Sequence, residues 1–173
     1  MKLPRNRTNL SLTKVQVKET SAAGIELTGS RGESLTVSVL ENDLVRVRLY
    51  PQGQPRLDRT WLVLDEKGEM PLEGRSREDL SPFSQPAFDV QKDEKSIHLS
   101  TMALKVTIDL DSFGLSWQTA AGVPLAQDAQ KGAYTYESSG QQISHVLRNQ
   151  PGEHYYGFGE VSGAINKAGS RIY

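Results

Sequence analysis

The chain has 173 residues, a net charge of -1 and no cysteine. That length suits one domain, ~100–200 residues being usual, and is enough to bury about two thirds of the unfolded surface in a core. The charge balance (Lys+Arg 20, Asp+Glu 21) excludes the basic footprint of a nucleic-acid binder. The lack of cysteine excludes disulfides, cysteine-based zinc sites and thiol nucleophiles, and suits a reducing compartment.

The N-terminus, Met1-Lys2-Leu3-Pro4-Arg5-Asn6-Arg7, is basic with no apolar stretch behind it, unlike a secretory signal. No apolar run approaches the roughly 18 residues that cross a bilayer. A cytoplasmic domain without membrane contact is the expectation. In that setting the glycosylation triplets Asn6-Arg7-Thr8 and Asn9-Leu10-Ser11 carry no weight. Residues 1–13 read as an arm and 14–173 as a single domain.

From Lys14 onward the period is two. Leu35, Val37 and Val39 alternate with Ser34, Thr36 and Ser38, and Val45, Val47 and Leu49 alternate with Arg46, Arg48 and Tyr50. Glu41-Asn42-Asp43 between them predicts a hairpin, closed at Pro51 because proline cannot donate to a ladder. A loop over 51–60 leads to strand alternation at Trp61 and Val63. Residues 71–86, with Pro71, Gly74, Pro82 and Pro86, read as a long surface loop.

A meander follows. Phe88 and Val90, Ile97 and Leu99, then Leu104, Val106 and Ile108 mark successive strands, with Lys92-Asp93-Glu94-Lys95 as one turn. Asp111-Ser112-Phe113-Gly114 turns the chain into Leu115 and Trp117, and Ala121-Gly122 turns it into Val123 and Leu125. Tyr134 and Tyr136, then Ile143, His145 and Leu147, then Tyr155 predict the last strands. No window carries a helical stripe over three turns. An antiparallel sheet with one wet face buries its other face on a second sheet, so the fold class is all-β, an antiparallel β-sandwich.

Chemistry is harder to place. His98, His145 and His154 match no metal-binding spacing and read as strand histidines satisfied by neighbours, so no metal and no cofactor are expected. Gly157-Phe158-Gly159-Glu160-Val161-Ser162-Gly163 has one residue too many for a dinucleotide fingerprint and no βαβ unit around it. Asp109, Asp111, Asp128, Glu153 and Glu160 are candidate carboxylates, but glycosidic hydrolysis needs two facing each other about 5–9 Å apart, and sequence pairs none. Each reads better as a solvated turn residue. Trp61 and Trp117 could stack on a sugar, although tryptophan in an alternating strand is more often core.

The richest stretch is Glu153-His154-Tyr155-Tyr156-Gly157-Phe158-Gly159-Glu160, followed by Asn166-Lys167-Ala168-Gly169-Ser170-Arg171. It resembles a segment of α-glucosidases of glycoside hydrolase family 31, which lies late in their N-terminal β-sandwich. Upstream pieces agree in type and order: Val39 to Arg48, Arg59-Thr60-Trp61, Leu99 to Val106, and Pro124 to Asp128. The resemblance covers roughly 35–173 and implies a galactose-mutarotase-like fold. In the family the nucleophile and acid sit on a following (β/α)8 barrel, with a tryptophan-aspartate-methionine-asparagine motif that this sequence lacks. The catalytic residues therefore have no positions here, and the implied partner is that catalytic barrel, with an α-glucoside or oligosaccharide reached only through it.

The chain on this view looks like a fragment that is inactive alone. Tyr156, Gly157, Phe158, Gly159, Glu160, Asn166, Gly169 and Arg171 are expected to be structural or near a pocket rim, with Glu160 fixing a turn after a closing strand at Tyr155. Two alternatives stay open. One is a stand-alone mutarotase-like enzyme using His98 or His145 with Glu153. The other is a carbohydrate-binding sandwich with Trp61 or Tyr134 as platform.

Overall fold

A computed structural model of the chain describes residues 8–53, 57–61, 68–138, 142–157, 159 and 163–169. Among them there is no helix. The strands are β1 (Asn9–Ser11), β2 (Gln16–Ser21), β3 (Gly24–Thr28), β4 (Ser34–Glu41), β5 (Leu44–Tyr50), β6 (Arg59–Thr60) and β7 (Arg75–Ser76). They continue with β8 (Asp89–Lys92), β9 (Ser96–Ser100), β10 (Leu104–Asp109), β11 (Leu115–Thr119), β12 (Pro124–Gln127), β13 (Tyr134–Glu137) and β14 (Ile143–His145).

Two main sheets face each other, as the alternation predicts. One runs β2-β3-β4-β5 and the other β12-β11-β10-β9-β8. The residues on their inner faces form one cluster. Ile25, Leu27, Leu35, Val37 and Val39 come from the first sheet, and Ile97, Leu99, Val106, Ile108 and Leu115 from the second. Register explains the match: Val37 lies between Ile25 and Val47, and Ile108 between Ile97 and Leu115, so apolar side chains share a face across each ladder.

A third sheet, β1-β13-β14, extends the five-stranded one. The isolated antiparallel bridge Asp128↔Leu147 joins them, supported by Ala129 N donating to Val146 O (2.9 Å) and Arg148 N to Gln127 O (2.7 Å). Leu49, Phe113, Ala133, Tyr134, Leu12 and Val15 complete the core cluster. Part of the stretch expected as an arm is thus built into the fold: β1 pairs with β13, and Leu12 is buried.

The segment 71–86 is not structureless. β7 pairs with β6, and the remainder lies across the outer face of β4 and β5. Gln85 N donates to Leu40 O (3.0 Å), Ser84 N to Glu41 Oε1 (2.8 Å), and Arg48 grips Glu78 through two nitrogens. Ser38 and Leu40, which alternate away from the core, are buried in consequence. Of the strand expected at Trp61 and Val63, only Arg59–Thr60 pairs, Trp61 follows it, and Val63 is outside the described residues. Tyr155 is in no strand; it is held by side-chain bonds described next.

Candidate functional site

Asp128 sits where β12 meets the bridge to Leu147, and it is buried. One carboxylate oxygen accepts from Leu115 N (2.9 Å) and the other pairs with His145 Nε2 (2.7 Å). The His145 ring stacks on Tyr134 at 4.3 Å and 13°, and Tyr134 tilts against Phe113 at 5.2 Å. Burial, then the charge of Asp128 and a hydrogen bond to it, push the Tyr134 hydroxyl above its ordinary range. A phenol so placed keeps its proton near pH 7 and cannot act as a base there.

Asp128 is therefore not the solvated turn residue expected. Its side chain takes the place of a backbone acceptor for Leu115 and welds the five-stranded sheet to β14, which requires burial. The sequence carries no sign of this, because the partners lie 13 and 17 positions away.

The other candidates are separated. His98 stands on the outer face of β9 with Asp93 (3.2 Å), Ser96 (3.2 Å) and Thr107 (3.1 Å). Asp109 caps its own turn, accepting from Ser112 N and Oγ, both at 2.7 Å. Asp111 is exposed and offers its carbonyl to Lys14 N. Glu153 accepts from Gln150 N (2.9 Å) and the Tyr155 hydroxyl (2.8 Å), contacts that hold its carboxyl below the usual range. It bonds to neither His98 nor His145, so the proposed histidine–glutamate pair is not assembled. No group of three or more metal-ligating side chains occurs among the described residues.

The aromatic candidates divide as well. Trp117 is partly buried against the core. Trp61 is half exposed, donates Nε1–H to Leu72 O (3.1 Å), and lies over Gly74, where a Cβ would come within 2.7 Å of the indole. Tyr134 is buried and cannot serve as a platform for a ligand.

In the glycine-aromatic segment, Asn166 is the hub. Its Oδ1 accepts from Tyr155 N and Ala168 N, both at 3.0 Å, and its amide nitrogen meets His154 Nδ1 at 2.8 Å. Lys167 N donates to Tyr155 O (2.7 Å), which closes the loop at its base. Tyr156 is exposed, and Gly157, Gly159 and Gly169 all have positive φ (91°, 72° and 74°), which explains the glycines there. Phe158, Glu160 and Arg171 lie outside the described residues.

Apolar side chains are exposed near the seam that joins β12 to the segment after β14: Val123 just before β12, Leu125 on it, Ile143 on β14, then Val146 and Leu147. All four residues of β12 are exposed. No described helix is long and apolar enough to cross a membrane.

Among solved structures, the chain is similar to the cycloalternan-forming enzyme of Listeria monocytogenes, at 17% identity and a TM-score of 0.65 over 92% of this chain. It is also similar to a GH31 dextranase of Flavobacterium johnsoniae (15%, TM-score 0.67, 92% of this chain) and a GH31 alpha-xylosidase of Xanthomonas citri (21%, TM-score 0.60, 88%). At these identities the likeness shows the fold. The match spans 14%, 18% and 16% of those longer chains. No curated protein matches. Residues 34–173 match the Glycosyl hydrolase 31 N-terminal galactose mutarotase-like domain, and the chain belongs to that family.

Proposed function

We propose that this domain works without chemistry of its own, by packing against the catalytic domain of a glycosidase that cleaves α-glycosidic bonds through a retaining two-carboxylate mechanism. The observation that carries this is the apolar edge formed by Val123, Leu125, Ile143, Val146 and Leu147. Exposed aliphatic side chains on and beside one short, fully exposed strand are what an interdomain surface leaves bare. The carboxylates support the same reading. Asp109, Asp128 and Glu153 are each committed to holding a turn, a sheet junction or a loop.

The family relation supports an α-glucoside or oligosaccharide as the substrate of the whole enzyme, and a pocket-rim position for the loop based at Asn166. The cysteine-free composition supports a cytoplasmic setting. Assaying the purified chain with a nitrophenyl α-glucoside tests the central claim. The expected result is no release above the protein-free rate. Turnover that scales with protein concentration and survives repurification would overturn it.

A further inference from the structure

The outer face of β5 carries two arginines in very different surroundings. Arg46 and Arg48 alternate with the inward Val45, Val47 and Leu49, so both point away from the core, roughly 7 Å apart along the strand. Every nitrogen of the Arg48 guanidinium is used. Nε donates to Thr36 Oγ1 (3.1 Å), Nη1 to the Tyr50 hydroxyl (3.2 Å) and Arg77 O (3.1 Å), and Nη1 and Nη2 each to one oxygen of Glu78.

Arg46 has no such set. Its Nε and Nη2 are shut off from solvent and make no hydrogen bond, and no other buried side-chain donor among the described residues lacks a partner. Burial, then the charge of Arg48, hold this guanidinium below its ordinary pKa. Arg77 adds a further positive charge, while both oxygens of the nearby Glu78 are committed to Arg48. A buried guanidinium left in this state is costly, because desolvation is not repaid by hydrogen bonds.

The arrangement selects a ligand class. Nε and Nη2 form one edge of the guanidinium, and their parallel N–H bonds make the fork that holds two oxygens of one anion. The surplus of positive charge excludes a cation. A carboxylate brings a single charge, and Glu78 shows that a single charge leaves Arg46 unanswered. A phosphate group carries about two charges at pH 7 and oxygens enough to engage both guanidinia. Access lies through the segment that bears Arg77 and Glu78, since the Glu78 side chain is 60% exposed and is the movable half of its pair with Arg48.

We propose that a phosphate group binds on this face, taking the Arg46 fork and displacing Glu78 from Arg48 as the covering segment lifts. The site draws nothing from the interdomain reading above, so the two fail separately.

Calorimetric titration of the chain with inorganic phosphate, replacing chloride at constant ionic strength, tests this. Saturable millimolar binding is expected, with faster hydrogen exchange at Gln85, whose amide bonds Leu40 O across the cover. Glu78→Gln weakens the competing pair and should tighten binding about threefold or more. Arg46→Met should weaken it about tenfold or more, with the urea midpoint held or raised because the lost nitrogens bond to nothing. Arg46→Lys, which keeps the charge without the fork, should weaken binding about fivefold and serves where methionine disturbs the fold. Phenyl phosphate separates the two sources of this chemistry. Affinity equal to that of phosphate identifies a phosphate carried on a larger molecule, weaker affinity identifies the free ion, and either upholds the site. No saturable heat up to roughly 50 mM phosphate, unchanged binding in both Arg46 variants, or exchange at Gln85 that phosphate leaves unaltered or slows would overturn the proposal.

Discussion

Asp128 shows how one buried carboxylate substitutes for sheet pairing. Its two oxygens serve Leu115 N and His145, and the Tyr134 hydroxyl bonds to the same carboxylate. Asp128→Ala leaves a buried N–H without an acceptor and is expected to cost about 2–3 kcal/mol, measured as a fall in the urea midpoint at constant slope. Gly24 is the second sensitive position. Its φ is 150°, and a Cβ there would lie 2.1 Å from Val37 O in the neighbouring strand. Because that obstacle is backbone, Gly24→Ala is expected to destabilise by roughly 3 kcal/mol or more in the same experiment. At Gly74 the nearest obstacle is the Trp61 indole, with Thr60 O at 3.1 Å behind it, and a φ of 74° adds backbone strain to the same change there.

Among elements, the segment over β4 and β5 is held by polar contacts more than by burial. Glu41 accepts from both the hydroxyl and the amide of Ser84, and these bonds hold its carboxyl below the ordinary 4.5. A lowered folded value means that the contribution is complete above the ordinary value and is lost as pH falls through the lowered one. Acidification from neutral to below that value is therefore expected to release residues 80–86 ahead of the core. Glu41→Gln should release them at neutral pH. Faster hydrogen exchange at Ser84 and Gln85 reads both, and unchanged exchange in Glu41→Gln would count against the anchor. The strands under this segment were legible from alternation, since Leu35-Val37-Val39 and Val45-Val47-Leu49 mark one face each. The covering was not, because its residues are polar and meet partners dozens of positions away, as Arg48 meets Glu78. Tyr155 misled for a related reason: an aromatic residue beside alternation looks like strand, yet Asn166 and Glu153 hold it as loop.

At the level of the molecule, sandwich and family were readable, while sheet order and the Asp128–His145 junction depended on long-range partners that no local pattern encodes. The apolar edge has a consequence in solution. With β12 fully exposed and Leu125 and Leu147 beside it, the isolated chain is expected to self-associate as concentration rises. Leu125→Lys with Leu147→Lys should return the sedimentation coefficient to the monomer value without lowering the melting temperature. A chain that is already monomeric at high concentration would argue against the edge as a buried surface.

The pairing of β1 with β13 sets Asn9 opposite Glu137. During synthesis the first strand has no partner until β13, more than 120 residues later, has left the ribosome, although β2 through β5 can already pair with one another. Closing so long a loop is entropically costly and comes late, so docking of residues 9–12 should be the slow final step of folding. Until then Leu12, destined for the core, stays in water.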